Sequence, residues 1–121
     1  MAPRKIIIDT DPGQDDAVAI LLALASPEDI DVLGVVAVAG NVPLSLTERN
    51  ARIICELAGK PNTPVFAGSV APLSRKLVTA EHVHGKTGLD GPNCPSRRWN
   101  CRISTVSITS STPFGANLQA P

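Results

Sequence analysis

Apolar residues along this 121-residue chain fall into two kinds of run. Lys5 to Asp9 and Ile30 to Ala39 are continuous and β-branched, without the alternation of a half-exposed strand, and so predict two short buried strands. Between them, Val18, Ile20, Leu21, Leu22 and Leu24 crowd an alanine-rich window from Asp15 to Ala25. That window predicts a largely buried helix with acidic residues in its first turn, ended by Pro27. Leu44 to Ala58 predicts an amphipathic helix, with Leu46, Ile53, Ile54 and Leu57 on one side. Glu48, Arg49, Arg52 and Glu56 fall mostly on the other, where Glu48 and Arg49 read as a solvated face, and Gly59 is a natural stop. Val65 to Ala67, after Pro61 and Pro64, predicts a third short strand.

The order β, α, β, α, β predicts the α/β class: a parallel, Rossmann-like open sheet with flanking helices and right-handed crossovers. Ligands of such sheets bind beyond the carboxyl ends of the strands. Asp9 to Asp16 lies at the end of the first strand, and Gly40 and Asn41 at the end of the second. Two polar clusters therefore face one crevice. Arg75 to Gly91 carries both histidines, His82 and His84, among three glycines, and reads as a long flexible loop, of a kind commonly functional or disordered.

Composition narrows the partners. At 43% hydrophobic the chain supports a soluble core, and its length suits one compact domain. Eleven basic residues balance eleven acidic ones, so no net field draws the protein to nucleic acid or an anionic membrane. The apolar stretch after Arg4 and Lys5 stops at three isoleucines, short of a signal peptide or membrane span, which makes a cytoplasmic setting the expectation. Cys55, Cys94 and Cys101 are odd in number and contain no CxxC pair, so neither a disulfide framework nor a zinc site is signalled. Cys55 reads as plain core.

DTDPGQDDA, residues 9 to 17, sets four aspartates in eight positions with no lysine or arginine between Lys5 and Arg49. A turn at Asp11, Pro12 and Gly13, with Asp15 or Asp16 supporting the next helix terminus, explains one or two of them. Four repel one another unless a cation or a positive partner offsets them. Oxygen donors in this number suit calcium or magnesium rather than zinc. An EF-hand fails, because counting from Asp9 puts Gln14 where that loop needs glycine and Ile20 where it needs glutamate. A haloacid dehalogenase-type phosphatase opens with an aspartate after an apolar strand and a second two residues on. That family normally continues with a small loop led by Thr or Val. This chain instead has Pro12, Gly13 and two further acids entering a helix.

The whole string resembles the N-terminal motif of the inosine-uridine preferring nucleoside hydrolases, DxDPGxDDA. Three more stretches agree in order and approximate spacing: AGN at Ala39 to Asn41, TERNAR at Thr47 to Arg52, and TAEHVHGKTGLDG at Thr79 to Gly91. The resemblance runs from about Lys5 to Pro92 and covers the N-terminal part of the family only. It implies hydrolysis of the N-glycosidic bond of ribonucleosides to ribose and free base, with bound calcium (Ca2+). By match to the motif, Asp11 would hold calcium and act as general base toward its water. Asp16 would be a second metal ligand, and Asp15 would accept the ribose 2′ and 3′ hydroxyls close to the same ion. Asp9 would support the turn, Asn41 would position sugar or acids, and His84 would approach substrate from the mobile loop. Family members are commonly homo-oligomers.

The family chain is longer, and its C-terminal half supplies another aspartate ligand, a carbonyl ligand, further ribose contacts and often a histidine near the leaving base. None of these has a counterpart here, so the reading is a truncated fold with weak or absent catalysis. Residues 1–92 read as the N-terminal part of the hydrolase domain, and 93–121 as a divergent tail, either an edge strand through Ile103, Val106 and Ile108 or an out-of-frame product. Read one base earlier with synonymous choices, the codons for Asn93 to Pro121 can be rewritten ELPEPAVELPDQHGVDYIIDTLRREPAGT. This stop-free string resembles the family's continuation. A phosphatase and a noncatalytic calcium-binding or interaction fragment are the alternatives.

Overall fold

A computed structural model describes residues 1–90. The expectations for the tail from Asn93 lie outside the described residues. The elements run β1 (Arg4–Thr10), α1 (Gln14–Leu24), β2 (Ile30–Ala37), α2 (Leu44–Leu57), β3 (Val65–Ala67) and α3 (Glu81–His84). The three strands form one parallel sheet in the order β1-β2-β3. The β, α, β, α, β reading is thereby met, and α3 is added within the histidine loop.

Register ties the sheet to its core. Val35 pairs with Ile8 on one side and Val65 on the other, and Ala37 pairs with Thr10 and Ala67. On the face this row shares, Ile20 and Leu24 of α1 meet Ala51, Ile54 and Cys55 of α2, together with Val35, Ala37 and Val65. Burying an aliphatic side chain of this size contributes about 1.5–3 kcal/mol, which makes this shared cluster the main anchor for both helices. Burial raises the pKa of the Cys55 thiol, against smaller opposing effects of the Thr63 hydrogen bond and the Arg52 charge, so Cys55 is packing material rather than a nucleophile.

Three expectations change. The strand β1 is not buried on both faces: Ile7 is 45% exposed, because both long helices pack into the core on the opposite face. The helix α1 buries only Ile20, Ala23 and Leu24, while Val18 and Leu22 are each 66% exposed. The helix α2 turns a different stripe inward, Thr47, Asn50, Ala51, Ile54 and Cys55, and leaves Leu57 63% exposed. That stripe keeps strict i, i+3, i+4 spacing but is built from small and polar side chains, so hydropathy alone points to the wrong face. On its flank, Arg52 donates to Glu48 at 2.7 Å, with only about a quarter of either side chain exposed, so Glu48 is paired and partly covered rather than freely solvated. Among the described residues no helix is long and apolar enough to cross a membrane.

Candidate active site

The site begins where β1 ends. Thr10 is buried, and its hydroxyl donates to Asp16 Oδ1 at 2.7 Å, while the Gly13 N–H donates to Asp16 Oδ2 at 3.1 Å. Asp16 thus closes the first turn of α1 from its third position and ties that turn to the strand end. Asp15 stands exposed in the same turn, where a carboxylate is favoured by the helix dipole. Asp9 lies exposed in β1, opposite Val36.

Between strand and helix, Asp11 is held by the neighbouring strand's loop. The Asn41 N–H donates to Asp11 Oδ2 at 2.8 Å, and the Asn41 amide Nδ2 donates to the Asp11 carbonyl at the same distance. A side chain on Gly40 would run into the Asp11 carboxylate, so glycine there is what lets the two loops meet. The adjoining backbone is fixed as well: Val38 N–H donates to the Thr10 carbonyl at 2.9 Å, continuing the β1–β2 ladder past its last paired residues.

The loop that follows β3 docks onto this junction. Ala80 N–H donates to the Asn41 carbonyl at 2.9 Å, and α3 then carries His84 to the start of α1. There His84 Nδ1 lies 2.6 Å from Gln14 Oε1, and a Cβ on Gly13 would come within 2.6 Å of the same nitrogen. Asn50, 2% exposed on the inner stripe of α2, donates from Nδ2 to the carbonyls of Pro12 (3.2 Å) and Thr87 (2.8 Å). One buried amide therefore clasps the acidic turn and the histidine loop together. The turn after α3 is organised by Asp90, whose carboxylate accepts from the Lys86 N–H at 2.8 Å, the Thr87 N–H at 3.3 Å and the Thr87 hydroxyl. The Thr87 hydroxyl bond, followed by these backbone donors, holds the Asp90 pKa below the ordinary carboxylate range. The stretch read as a long loop is tethered at these points and has a helical turn in it.

Of the sequence-predicted residues, the fold brings Asp11, Asn41 and His84 to the carboxyl end of the strands, with Asp16 bonded to Thr10 and Gly13 on either side of Asp11 in the chain and Asp15 next to Asp16 in α1. His82 is exposed. Gln14, Asn50 and Asp90 were not anticipated. A polar residue inside the i, i+3, i+4 stripe of α2 was the available signal for Asn50, whereas nothing local marks Gln14. As donors, carboxylate oxygens fit a hard cation such as calcium, and Asp11 and Asp16 are the residues already fixed in place. Asp11 and Asp16 also accept protein hydrogen bonds, and among the described residues no three His, Cys, Asp or Glu side chains gather closely enough to hold a metal. They fit such an ion as part of a ligand set.

Comparison with known proteins adds family membership. The family model for the inosine-uridine preferring nucleoside hydrolases matches residues 6–115. An uncharacterized Schizosaccharomyces pombe protein is 60% identical over 98 residues, 79% of this chain and 31% of that one. The inosine-uridine preferring nucleoside hydrolase of Crithidia fasciculata is 49% identical over 87 residues, 72% of this chain and 27% of that one. A solved plant nucleoside hydrolase superposes with a TM-score of 0.74 at 42% identity, covering 85% of this chain and 32% of its own. The chain spans about a third of the length of these relatives. With its acids at the end of β1, its parallel sheet and this match, the chain belongs to the inosine-uridine preferring nucleoside hydrolase family.

Proposed function

We propose that this chain supplies the acidic half of a ribonucleoside hydrolase site, in which water cleaves the N-glycosidic bond to release ribose and a free base. The observation that carries the reading is the clasp of Asn41 on Asp11 where two adjacent parallel strands end, the place where open α/β sheets bind ligands. Asp11, with one oxygen fixed by a backbone N–H, is the general base toward water. Asp15, exposed in the first helical turn, accepts the ribose 2′ and 3′ hydroxyls, and carboxylate acceptors make such bonds strong. Asn41 positions the sugar and Asp11, and His84 meets substrate from the docked loop. Asp11 and Asp16, with Asp15 nearby, would hold calcium, which lowers the pKa of a bound water when present.

The acids also suit the sugar, whose transition state develops oxocarbenium-like positive charge. With only part of a ligand set among the described residues, this chain turns over weakly at most. A cytoplasmic setting and a homo-oligomeric longer protein belong to the same proposal. A ribose-release assay with inosine and uridine in calcium, with an Asp11→Ala control, tests it. Slow release abolished by Asp11→Ala supports the reading. Phosphate release from a phosphomonoester with magnesium, and no ribose from either nucleoside, overturns it. Calcium binding lost in Asp11→Ala, without turnover, would leave this chain a noncatalytic calcium-binding fragment.

A further inference from the structure

His84 reaches the site by way of Gln14, and the geometry of that contact determines which ring nitrogen faces outward. Gln14 is the first residue of α1 and its side chain is exposed. Its amide Nε2 donates to the Asp90 carbonyl at 3.3 Å. A carbonyl oxygen can only accept, so this bond settles the orientation of the amide, with nitrogen toward Asp90 and Oε1 toward His84. Oε1, in turn, lies 2.6 Å from His84 Nδ1 and can only accept. In the neutral imidazole, Nδ1 must then carry the proton and Nε2 the lone pair. The backbone closes the same unit: Asp90 N–H donates to the His84 carbonyl at 3.4 Å, and His84 N–H to the Ala80 carbonyl at 3.0 Å.

We infer that Gln14 is a positioning residue that fixes the Nδ1–H tautomer of His84 and presents Nε2 to substrate as a hydrogen-bond acceptor. The acceptor role rests on the hydrolase reading. The tautomer itself does not. In that role neutral His84 accepts from a sugar hydroxyl and has no proton on Nε2 to donate to a departing base. The motif position between Gly13 and Asp15 therefore sets the chemistry of a histidine 70 residues away in the chain.

Nitrogen-15 shifts of the two imidazoles, measured on the full chain at about pH 8.5, roughly two units above the ordinary histidine pKa, test this directly. His82, exposed on the same short helix, serves as the internal reference. The expected result is a pyrrole-type Nδ1 and a pyridine-type Nε2 for His84, unlike His82. Gln14→Leu should move His84 to the His82 pattern, and Gln14→Glu, which keeps an acceptor at that place, should retain the wild-type pattern. Matching His82 and His84 shifts in the wild type, or a His84 pattern unchanged by Gln14→Leu, would overturn the inference. These shifts are read without turnover, so a failed ribose-release assay leaves them standing, and an altered tautomer leaves the hydrolase reading standing.

Discussion

Asn41 holds Asp11 from two directions, with its backbone N–H on the carboxylate and its side-chain amide on the carbonyl, both at 2.8 Å. The two bonds join loops 30 residues apart, so the ends of β1 and β2 behave as one surface. Removing the amide by Asn41→Ala leaves the carboxylate bond and should cost about 1 kcal/mol of stability, the usual worth of one such bond. Asn41→Asp should cost more, because it faces a carboxylate against the Asp11 carbonyl. Urea unfolding of the three proteins checks the order, and equal midpoints would contradict it.

Asn50 does the corresponding work for the histidine loop. Asn50→Leu keeps the branched outline of the side chain but strips the donor from the Pro12 and Thr87 carbonyls, for an expected loss of about 1–3 kcal/mol. Local exchange should change more than global stability. Amide protons of Gly85 to Asp90 should exchange faster in the variant, and unchanged protection there would show that the loop is held by something else.

The Asp90 turn should respond to acid. Its pKa is lowered in the folded state, so its contribution is fully present above the unfolded carboxylate pKa and disappears as pH falls through the lower folded value. The Lys86 and Thr87 amide signals, both donors to that carboxylate, should shift together in that acidic window while core amides stay fixed. Asp90→Asn should remove the response. A pH-independent pair of signals in the native protein would count against the turn.

The two apolar candidates on α2 should separate cleanly. Ile54 is fully buried in the shared core and Leu57 is 63% exposed. Ile54→Ala should therefore cost about 2–5 kcal/mol, as core truncations do. Leu57→Ala should stay within about 0.5 kcal/mol, as for a surface change. Thermal melts of both variants decide this, and comparable losses would mean that Leu57 is covered.

Much of this architecture was legible in the chain. Continuous β-branched runs marked β1 and β2, and the proline and glycine stops came within a few residues of the observed ends. DTDPGQDDA marked the turn between β1 and α1 where the acids gather. What was misjudged was burial. A run of isoleucines cannot report that only one face of β1 is covered, and the inward stripe of α2 is led by Thr47, Asn50 and Ala51, which hydropathy ranks below Leu57.

By itself, then, the sequence determined the order of elements, the parallel sheet that order requires, and the placing of Asp11, Asp15 and Asp16 at a strand end, because these depend on periodicity and on residues adjacent in the chain. Only the tertiary structure decided that Asn50 clasps Pro12 to Thr87 and that Gln14 receives His84. Those bonds join residues 37 to 70 positions apart, and a hydrogen bond of such range is set by how helices and loops pack, which no local pattern encodes.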